Sequence, residues 1–397
     1  MRTWEKVKLG SVISTNRSSY STKDGWAFVN YLDTGNITEN VITDIKKINL
    51  SSEKLPSRAK RKVQYNSILY STVRPNQRHY GIVKNIPENF LVSTGFTVID
   101  VNKSKVDADF IYFLLAQDRI VELLHSIAEQ SVSAYPSIKA ADIENLEVDL
   151  PPLEEQKKIA SILCTITDKI RQNTEINKNL EEQMEALYRM LFIENTSASW
   201  QQGTISDLGT VVGGSTPSKK VDAYYTSDGI PWITPKDLSN DHSKFILRGE
   251  IDITEQGLSK SSATIMPAGT VLFSSRAPIG YIAIAATAVT TNQGFKSVVP
   301  NKDIGTAFIY FFIKNNLIKI ENMASGSTFK EVSGSTMKSI PAFIPDTDTL
   351  VQFNDFCQPI FEQQQVLERE NRSFSQLRDS LLPKLMSAEI DVSGIDL

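Results

Sequence analysis

The side chains best suited to chemistry are hydrogen-bonding groups that follow short apolar runs. In the first half of the chain, the run 68–73 is followed by Arg74, Asn76, Gln77 and Arg78. In the second half, the corresponding groups are Lys236, Ser275, Arg276, Asn292 and Gln293. Arginine pairs with guanine, and asparagine or glutamine with adenine, through two hydrogen bonds. Loops of this composition are therefore predicted to read the major groove of DNA.

A dense basic run precedes the first of these loops. Lys60, Arg61 and Lys62 belong to a stretch, Lys46–Lys84, that carries ten basic residues and one acid, Glu53. Any one of these side chains, taken alone, is typical of a solvated surface charge. An excess of ten to one indicates an anionic partner. We therefore predict that Lys60, Arg61 and Lys62 also contact DNA.

Known catalytic signatures are missing from the sequence. The glycine- and lysine-containing segment 212–220 lacks the spacing of a phosphate-binding loop, and neither GxGxxG nor GxSxG occurs. The histidines and cysteines are not spaced as metal ligands either. His79, His125 and His242 are scattered along the chain, and Cys164 and Cys357 lie far apart. These observations favour a binding protein without metal or cofactor of its own, and an enzyme with a new kind of site remains the alternative.

Charge is unevenly distributed along the 397 residues, whose net charge is −4. Residues 1–150 hold 19 basic against 17 acidic side chains, and residues 196–345 hold 13 against 11. The acidic excess lies in 151–195 (6 against 8) and 346–397 (4 against 10). The net negative charge therefore does not exclude DNA binding. No apolar run reaches the ~20 residues that span a bilayer, and no signal-peptide core is found, so we expect a cytosolic protein without membrane contact.

The sequence repeats itself with a period near 196 residues. Segment 68–75 resembles 271–278, segment 110–113 resembles 308–311, and segment 135–151 resembles 329–345. Each copy then runs into a segment with apolar residues at steps of three and four, which predicts a long helix packed on a partner. The first such helix would extend about 57 Å over residues 154–191. The predicted helix seam comprises Ile159, Ile162, Ile166, Ile170, Leu180, Leu187, Phe356, Ile360, Leu367, Phe374, Leu377 and Leu381.

Within each copy, short β-branched runs precede a helical stripe, which predicts an α+β fold. We predict two similar α/β domains at 1–150 and 196–345, separated by two long antiparallel helices at 151–195 and 346–397 that form a coiled-coil spacer. The whole would have a pseudo-twofold internal repeat. Pro359 is expected to begin the second helix, and Pro383 to end it near Leu382.

Four segments resemble a known protein family. Pro151–Ala160 (PPLEEQKKIA) and Leu377–Ser387 (LRDSLLPKLMS) are similar to the central and distal spacer motifs of specificity (S) subunits of type I restriction-modification systems. Segment 213–218 (GGSTPS), together with 230–238 (IPWITPKDL), resembles a common start of their recognition domains. The resemblance extends over essentially the whole chain.

The resemblance implies a non-catalytic subunit with two target recognition domains, 1–150 and 196–345, that each read one half of a split double-stranded DNA site. Two methyltransferase (M) subunits would dock on it, bind S-adenosylmethionine and modify adenine. Restriction (R) subunits would use ATP and Mg²⁺ to cleave unmodified DNA. Because segment 345–352 lacks the EEQKKI sequence of the first copy, the two M-docking surfaces are expected to be unequal.

Two other functions remain open from the sequence. The chain could serve a methylation-only complex that has no R subunit. It could also be a coiled-coil scaffold that joins two protein-binding domains, although the basic stretch Lys46–Lys84 argues against this.

Overall fold

The fold consists of two compact units. In a computed structural model, residues 4–131, 135–241, 243–326 and 330–395 are described, and His242 lies outside these ranges. Unit 1 comprises Met1–Ile170 and Ser373–Leu397, and unit 2 comprises Arg171–Arg372. Each unit contains one α/β domain and a portion of both long helices.

Unit 1 is built around two four-stranded sheets. Its strands are β1 (Glu5–Lys8), β2 (Ile13–Thr15), β3 (Phe28–Leu32), β4 (Ile37–Thr38), β5 (Val41–Ile42), β6 (Lys46–Asn49), β7 (Ala59–Arg61), β8 (Ile68–Ser71), β9 (Tyr80–Ile82), β10 (Phe90–Ser93), β11 (Phe96–Val101) and β12 (Glu147–Leu150). The sheet orders are β6-β3-β10-β7 and β2-β11-β8-β9, with two-stranded pairs β1-β12 and β4-β5. Strands β3 and β10 are parallel. All residues of β8 and β10 are buried, as expected of strands covered on both faces.

The helices of unit 1 pack on these sheets. They are α1 (Ala108–Ala116), α2 (Asp118–Glu129), α3 (Ala140–Glu144) and the first part of α4 (Leu153–Arg189). The carboxylate of Asp107 accepts a hydrogen bond from the backbone N–H of Phe110 (3.0 Å) and so caps α1. The helical stripe predicted to follow the strands forms two helices, α1 and α2, which are divided at Gln117, whose backbone is extended.

Unit 2 repeats this architecture, and its larger sheet has five strands where the corresponding sheet of unit 1 has four. Its strands are β13 (Gln201–Thr204), β14 (Gly209–Gly213), β15 (Tyr225–Thr226), β16 (Ile230–Ile233), β17 (Phe245–Ile246), β18 (Asp252–Ile253), β19 (Val271–Ser275), β20 (Ile279–Ala285), β21 (Thr290–Thr291), β22 (Lys296–Pro300) and β23 (Pro341–Ile344). Its helices are α5 (Ile205–Leu208), α6 (Pro235–Asn240), α7 (Glu255–Ser259), α8 (Thr306–Asn315), α9 (Leu317–Asn322), α10 (Gly334–Lys338) and α11 (Thr347–Leu385).

The strand orders confirm the predicted duplication. Order β14-β22-β19-β20 in unit 2 corresponds to β2-β11-β8-β9 in unit 1, and β17 extends the former as a fifth strand. The parallel pair β16-β21 corresponds to β3-β10, and the antiparallel pair β13-β23 corresponds to β1-β12. The α+β fold class with two similar domains is therefore confirmed.

Both long helices are packed against the domains by apolar faces. In unit 1, Ile159 and Leu163 of α4 and Leu385 of α11 belong to the same core as Phe110 of α1. Val392, beyond the end of α11, is also fully buried there, and the ammonium group of Lys158 donates to the carbonyl oxygen of Ser393 (2.8 Å). The segment after α11 is thus part of unit 1.

The helix segments of unit 2 run antiparallel, as predicted. The amide of Asn173 donates to the carboxylate of Glu370 (3.0 Å), and the amide of Gln364 donates to the carbonyl oxygen of Asn177 (3.0 Å). As the residue number rises on α4, that of its partner on α11 falls. Polar contacts therefore occupy the middle of the seam.

The structure corrects two positions of the predicted seam. Phe356 and Leu377 are 41% and 45% exposed, whereas Ile159, Ile166 and Leu367 are buried. The other predicted positions, Ile162, Ile170, Leu180, Leu187, Ile360, Phe374 and Leu381, are half-buried. In α11 the buried stripe instead follows Phe353, Cys357, Phe361 and Gln364. The predicted seam counted only apolar residues and therefore missed the buried Gln364. As a result, the prediction placed the packed face of α11 partly on exposed residues.

The prediction that Pro359 begins a helix is wrong, because α11 runs through it from Thr347 to Leu385. Pro359 lies on the exposed side, where water can bind the carbonyl group that its missing N–H leaves free. On the opposite face, buried Phe353, Cys357 and Phe361 hold the helix against unit 2. The helix also continues past Pro383, to Leu385.

A buried charge cluster fastens the start of β17 to both long helices. The side chain of Lys244, only 9% exposed, forms an ion pair with Glu181 of α4 and donates to the amide oxygen of Gln364 of α11 (2.7 Å). The carboxylate of Glu368 accepts hydrogen bonds from the backbone N–H groups of Lys244 (2.8 Å) and Phe245 (3.1 Å). Burial lowers the pKa of Lys244.

Glu181 stays ionised because it has two cationic neighbours. Burial acts to raise its pKa, but Lys244 and Lys314 outweigh this effect and hold the pKa below its usual value. Lys314 of α8 lies 2.7 Å from the Glu181 carboxylate, and the hydroxyl of Tyr310 donates to it (3.1 Å). Glu181 therefore keeps partners even when one cation is removed.

Candidate nucleic-acid interface

Both units contain the same hydrogen-bonded turn at the end of a central strand. After β8, the backbone N–H and the hydroxyl of Thr72 donate to the carbonyl oxygen of Gly95 (2.8 and 2.9 Å). At the end of β19, the backbone N–H and the hydroxyl of Ser275 donate to the carbonyl oxygen of Gly294 (2.7 and 3.0 Å). Thr72 and Ser275 are thus equivalent positions.

This equivalence sets the register of the two loops and revises one prediction. Arg276 directly follows Ser275, so it corresponds to Val73, in agreement with the match of 68–75 to 271–278. Arg74 corresponds to Ala277, and both have left-handed backbones (φ 47° and 48°). Ser275 itself is fully buried and its hydroxyl is engaged with Gly294, so its predicted role as a DNA contact is wrong.

The remaining polar residues predicted in unit 2 meet in one cleft of about 530 Å³. The wall also includes the start of α6 and the loop around Glu250. The lining residues are Thr216, Lys219, Trp232, Thr234, Pro235, Lys236, Asp237, Glu250, Ile251, Arg276, Ala277, Asn292, Gln293 and Gly294. The structure therefore brings Lys236, Arg276, Asn292 and Gln293 together, although they are up to about sixty residues apart in the chain.

Carboxylates missed by the sequence analysis balance the cations of this cleft. Lys236 lies 2.7 Å from Glu250, and this hydrogen bond raises the pKa of Lys236. Glu331 lies 3.4 Å from the guanidinium group of Arg276 and 3.2 Å from the ammonium group of Lys296. No local pattern could have shown these pairs, because the partners come from separate loops.

The loop 213–216 closes one side of the cleft. A Cβ atom on Gly214 would lie 1.9 Å from the carbonyl oxygen of Asn292, so only glycine fits there. The backbone N–H of Ser215 donates to the carbonyl oxygen of Thr291 (2.9 Å), and the hydroxyl of Thr216 donates to the amide of Gln293. The glycine pair in the sequence was the available signal for this close approach.

In unit 1, the predicted basic run lies on and beside β7. Lys60 is exposed, whereas Arg61 is half-buried, and burial lowers its pKa. Lys62 lies 2.7 Å from Asp24 and over the ring of Trp26 (5.2 Å to the centroid). Just before β7, the carbonyl oxygen of Arg58 accepts from the backbone N–H of Thr94 (2.8 Å). The run therefore adjoins the turn that carries Gly95.

The loop after β8 divides into an exposed part and a fixed part. Arg74, Asn76 and Gln77 are exposed, and the guanidinium group of Arg74 lies over the ring of Tyr135 (5.4 Å). Arg78 instead binds Asp118 (2.5 Å) and Glu39 (3.5 Å). Burial acts to lower the pKa of Arg78, but hydrogen bonds to Asp118 and Tyr80 outweigh this effect and raise the pKa. Arg78 is thus held within unit 1, beside a second cleft of about 580 Å³.

Acids from outside the basic stretch neutralise part of its excess. Lys62 is paired with Asp24, Arg78 with Asp118, and Lys84 with Asp109 (2.8 Å). The ratio of ten to one counted along the sequence therefore overstates the positive field of the folded surface.

Among the residues described by the structure, no cluster of His, Cys, Asp or Glu side chains is arranged to hold a metal ion. In the same ranges, the helices include none that is long and apolar enough to cross a membrane.

Two units with the same frame but different exposed side chains define a duplicated recognition protein. Residues 1–182 and 198–370 match the family of the type I restriction modification DNA specificity domain, and the chain belongs to this family. The sequence is 26% identical to the type I restriction enzyme HindI specificity subunit of Haemophilus influenzae, over 98% of this chain and all of that protein.

Other comparisons cover parts of the chain or its fold. The type I restriction enzyme MjaIX specificity subunit of Methanocaldococcus jannaschii is 40% identical over 43% of this chain and 41% of its own length. The crystal structure of a type I restriction-modification S subunit from M. genitalium is 14% identical and covers 96% of each chain, with a TM-score of 0.62. The similarity to this crystal structure supports the assignment of the fold with two similar domains.

Proposed function

We propose that each unit reads one half of a bipartite DNA site. The observation that carries this proposal is the shared turn, in which Thr72 and Ser275 make the same contacts while the residues around them differ. A common frame docks both units on DNA in the same way, and unlike side chains select unlike bases. The proposed contacts are Lys60, Arg61, Lys62, Arg74, Asn76 and Gln77 in unit 1 and Lys236, Arg276, Asn292 and Gln293 in unit 2.

The long helices are the proposed spacer between the half-sites. Helix α4 has 37 residues and would be about 55 Å long. That length corresponds to roughly one and a half turns of B-DNA. The central and distal helical segments, 151–195 and 346–397, would thereby hold the two recognition domains, 1–150 and 196–345, over separated grooves.

Membership of the family supports a proposal for the partners. Two M subunits would bind S-adenosylmethionine and methylate adenine, and R subunits would cleave with ATP and Mg²⁺, while this chain contributes recognition without catalysis. The two M-docking surfaces would differ, because α11 begins without the EEQKKI sequence of α4.

The test is selection from random double-stranded DNA by the chain assembled with an M subunit. We expect two short motifs separated by a fixed gap. Exchange of residues 1–150 for those of another family member should change one motif and leave the other intact. A change in both motifs would contradict the modular assignment, and absence of selective binding in every mixture would contradict the DNA-reading function. Cleavage on addition of ATP and an R subunit would distinguish a restricting complex from a methylation-only complex.

A further inference from the structure

Glu331 joins two cations of unit 2 through its two carboxylate oxygens. Oε1 lies 3.2 Å from the ammonium group of Lys296, and Oε2 lies 3.4 Å from Nη1 of Arg276. Among these three side chains, Arg276 is the one that lines the cleft of unit 2 within the described ranges. The carboxylate therefore connects a residue of the cleft wall to Lys296, the first residue of β22.

The carboxylate of Glu331 is anchored at both ends of its side chain. The backbone of Glu331 exchanges two hydrogen bonds with that of Ser325 (2.9 and 3.1 Å). Lys296, whose side chain is only 14% exposed, also lies 3.5 Å from the hydroxyl of Ser275 and 3.5 Å from the carbonyl oxygen of Gln293. Lys296 thus holds the carboxylate from a fixed place in the fold.

This contact restricts the guanidinium group of Arg276. Its Nη1 donates to Glu331, while the side chain as a whole is 36% exposed and borders the cleft. A guanidinium group is planar and pairs with guanine through two hydrogen bonds of fixed geometry. Its orientation therefore decides whether it reads a base edge or only neutralises a phosphate.

We propose that Glu331 is a positioning residue for the second half-site, because it holds the guanidinium group of Arg276 in the orientation that reads a base edge. This inference rests on the proposed function of unit 2 as a reader of DNA. Without Glu331, Arg276 remains a cation at the cleft but loses its direction. The carboxylate thus weakens binding to DNA in general and strengthens the preference for one sequence.

Unit 1 contains equivalent positions that backbone contacts identify. The carbonyl oxygens of Thr72 and Ser275 each accept a hydrogen bond from a backbone N–H, that of Ile138 in unit 1 (2.8 Å) and that of Val332 in unit 2 (3.0 Å). The preceding residues, which therefore correspond, are Ser137 and Glu331.

The shared turn does not need the charges found in unit 2. Phe96 pairs with Ser71 as Phe295 pairs with Ser274, so the next residues, Thr97 and Lys296, also correspond. Where unit 2 has Arg276, Lys296 and Glu331, unit 1 has Val73, Thr97 and Ser137. All three positions are uncharged in unit 1, and its turn has the same hydrogen bonds. The charged set therefore adds a property that belongs to unit 2 alone.

Glu331→Gln and Glu331→Asp separate the position of the carboxylate from its charge. Glutamine keeps the shape without the charge, and aspartate keeps the charge but is shorter by one methylene group. With the M-bound complex and a randomised DNA library, both should reduce the preference at the base read by Arg276 by about 3- to 10-fold and leave the first motif intact. Glu331→Gln should also bind random DNA about 2- to 5-fold more tightly, because a negative charge near the phosphates is lost. Glu331→Asp should bind random DNA as the wild type does.

Arg276→Ala tests whether Glu331 acts through the arginine. Arg276→Ala alone should abolish the preference at the same base, and adding Glu331→Gln should cause no further change in base preference. If Arg276→Ala leaves every preference intact, or if the second substitution alters preference in its absence, the proposal is overturned.

The matched control is Asp241→Asn. Asp241 lies 3.5 Å from the guanidinium group of Arg372 in an ion pair of similar exposure (41% and 33%), and in the described ranges neither residue lines the cleft. This substitution should leave both motifs unchanged.

Hydrogen exchange in β19 and β22 reports whether the variants keep the fold of unit 2. If both Glu331 variants retain every wild-type preference, weaken all sequences equally, or lose preference only together with faster exchange in these strands, the role of Glu331 is overturned while the bipartite site stands. If the wild-type complex selects no bipartite site, the proposed function itself fails.

Discussion

Lys244→Met tests whether the buried charge cluster holds β17 to the two long helices. Methionine is similar in length to lysine but cannot pair with Glu181 or donate to Gln364. Loss of one partner from a buried ion pair costs about 3–5 kcal/mol when the other charge is left unpaired. Glu181 retains Lys314 at 2.7 Å and the Tyr310 hydroxyl at 3.1 Å. We therefore expect a smaller loss, about 2–3 kcal/mol of local opening free energy.

Native-state hydrogen exchange is the appropriate assay, because the chain has two units and a single unfolding transition is not assured. A loss of 2–3 kcal/mol corresponds to roughly 30- to 150-fold faster exchange at Phe245 and Ile246. Exchange in β11 of unit 1 serves as the internal reference. The double substitution Lys244→Met with Glu181→Gln should recover part of the protection, because it removes the buried carboxylate that has lost one of its two cations, while Lys314 still pairs with Glu185 (2.8 Å). Unchanged exchange in β17, or an equal increase in β11, would refute the reasoning.

The remaining predictions concern DNA binding, the buried turn, pH and spacing. Arg74→Ala and Arg276→Ala should each weaken specific binding by about 1–3 kcal/mol if the arginines read bases, and equal losses on random DNA would identify phosphate contacts instead. Ser275→Ala should lower the stability of unit 2 by about 1 kcal/mol in denaturant titration while base preference is retained, and altered preference would reinstate it as a base contact. Because the pKa of Glu181 is held below its usual 4.5, its stabilising effect is present above that pH and is lost as pH falls through the lowered pKa. The protection of β17 should therefore decline in acid in the wild type but less in Glu181→Gln, and identical acid profiles would contradict this. A heptad inserted after Asn173 should lengthen the gap between half-sites without changing either motif, and an unchanged gap would contradict the spacer role.

Features that depend on local sequence were predicted well. The duplication, the short apolar run that forms β8 and the two long helices follow from the spacing of apolar residues. These signals reflect burial, and burial is shared by both copies of the domain. Periodicity was less successful within α11, where a buried Gln364 lies in the stripe and Pro359 lies on the exposed face.

The candidate site depended on contacts that sequence does not contain. The sequence singled out Arg276 and Asn292 as candidate contacts, but it did not show their partners, Glu331 and Gly294. Glu331 is brought to Arg276 by the tertiary fold, and Gly294 is brought to Asn292 by a turn that the sequence analysis did not identify. Ser275 was misassigned because its hydroxyl looks available in sequence and is buried in the folded unit. The same limit applies to charge, since Asp118 neutralises Arg78 from forty residues away.

The division of the chain into units has a genetic consequence. Unit 2 is formed by one continuous segment, Arg171–Arg372, whereas unit 1 is assembled from the segments on either side of it. A nonsense mutation directly after Arg372 would leave unit 2 complete, yet it would remove Leu385, Met386 and Val392 from the core of unit 1. A truncation behind unit 2 would thus damage the unit that precedes it in the sequence. Conversely, two crossovers near codons 170 and 372 would exchange unit 2 as a single cassette.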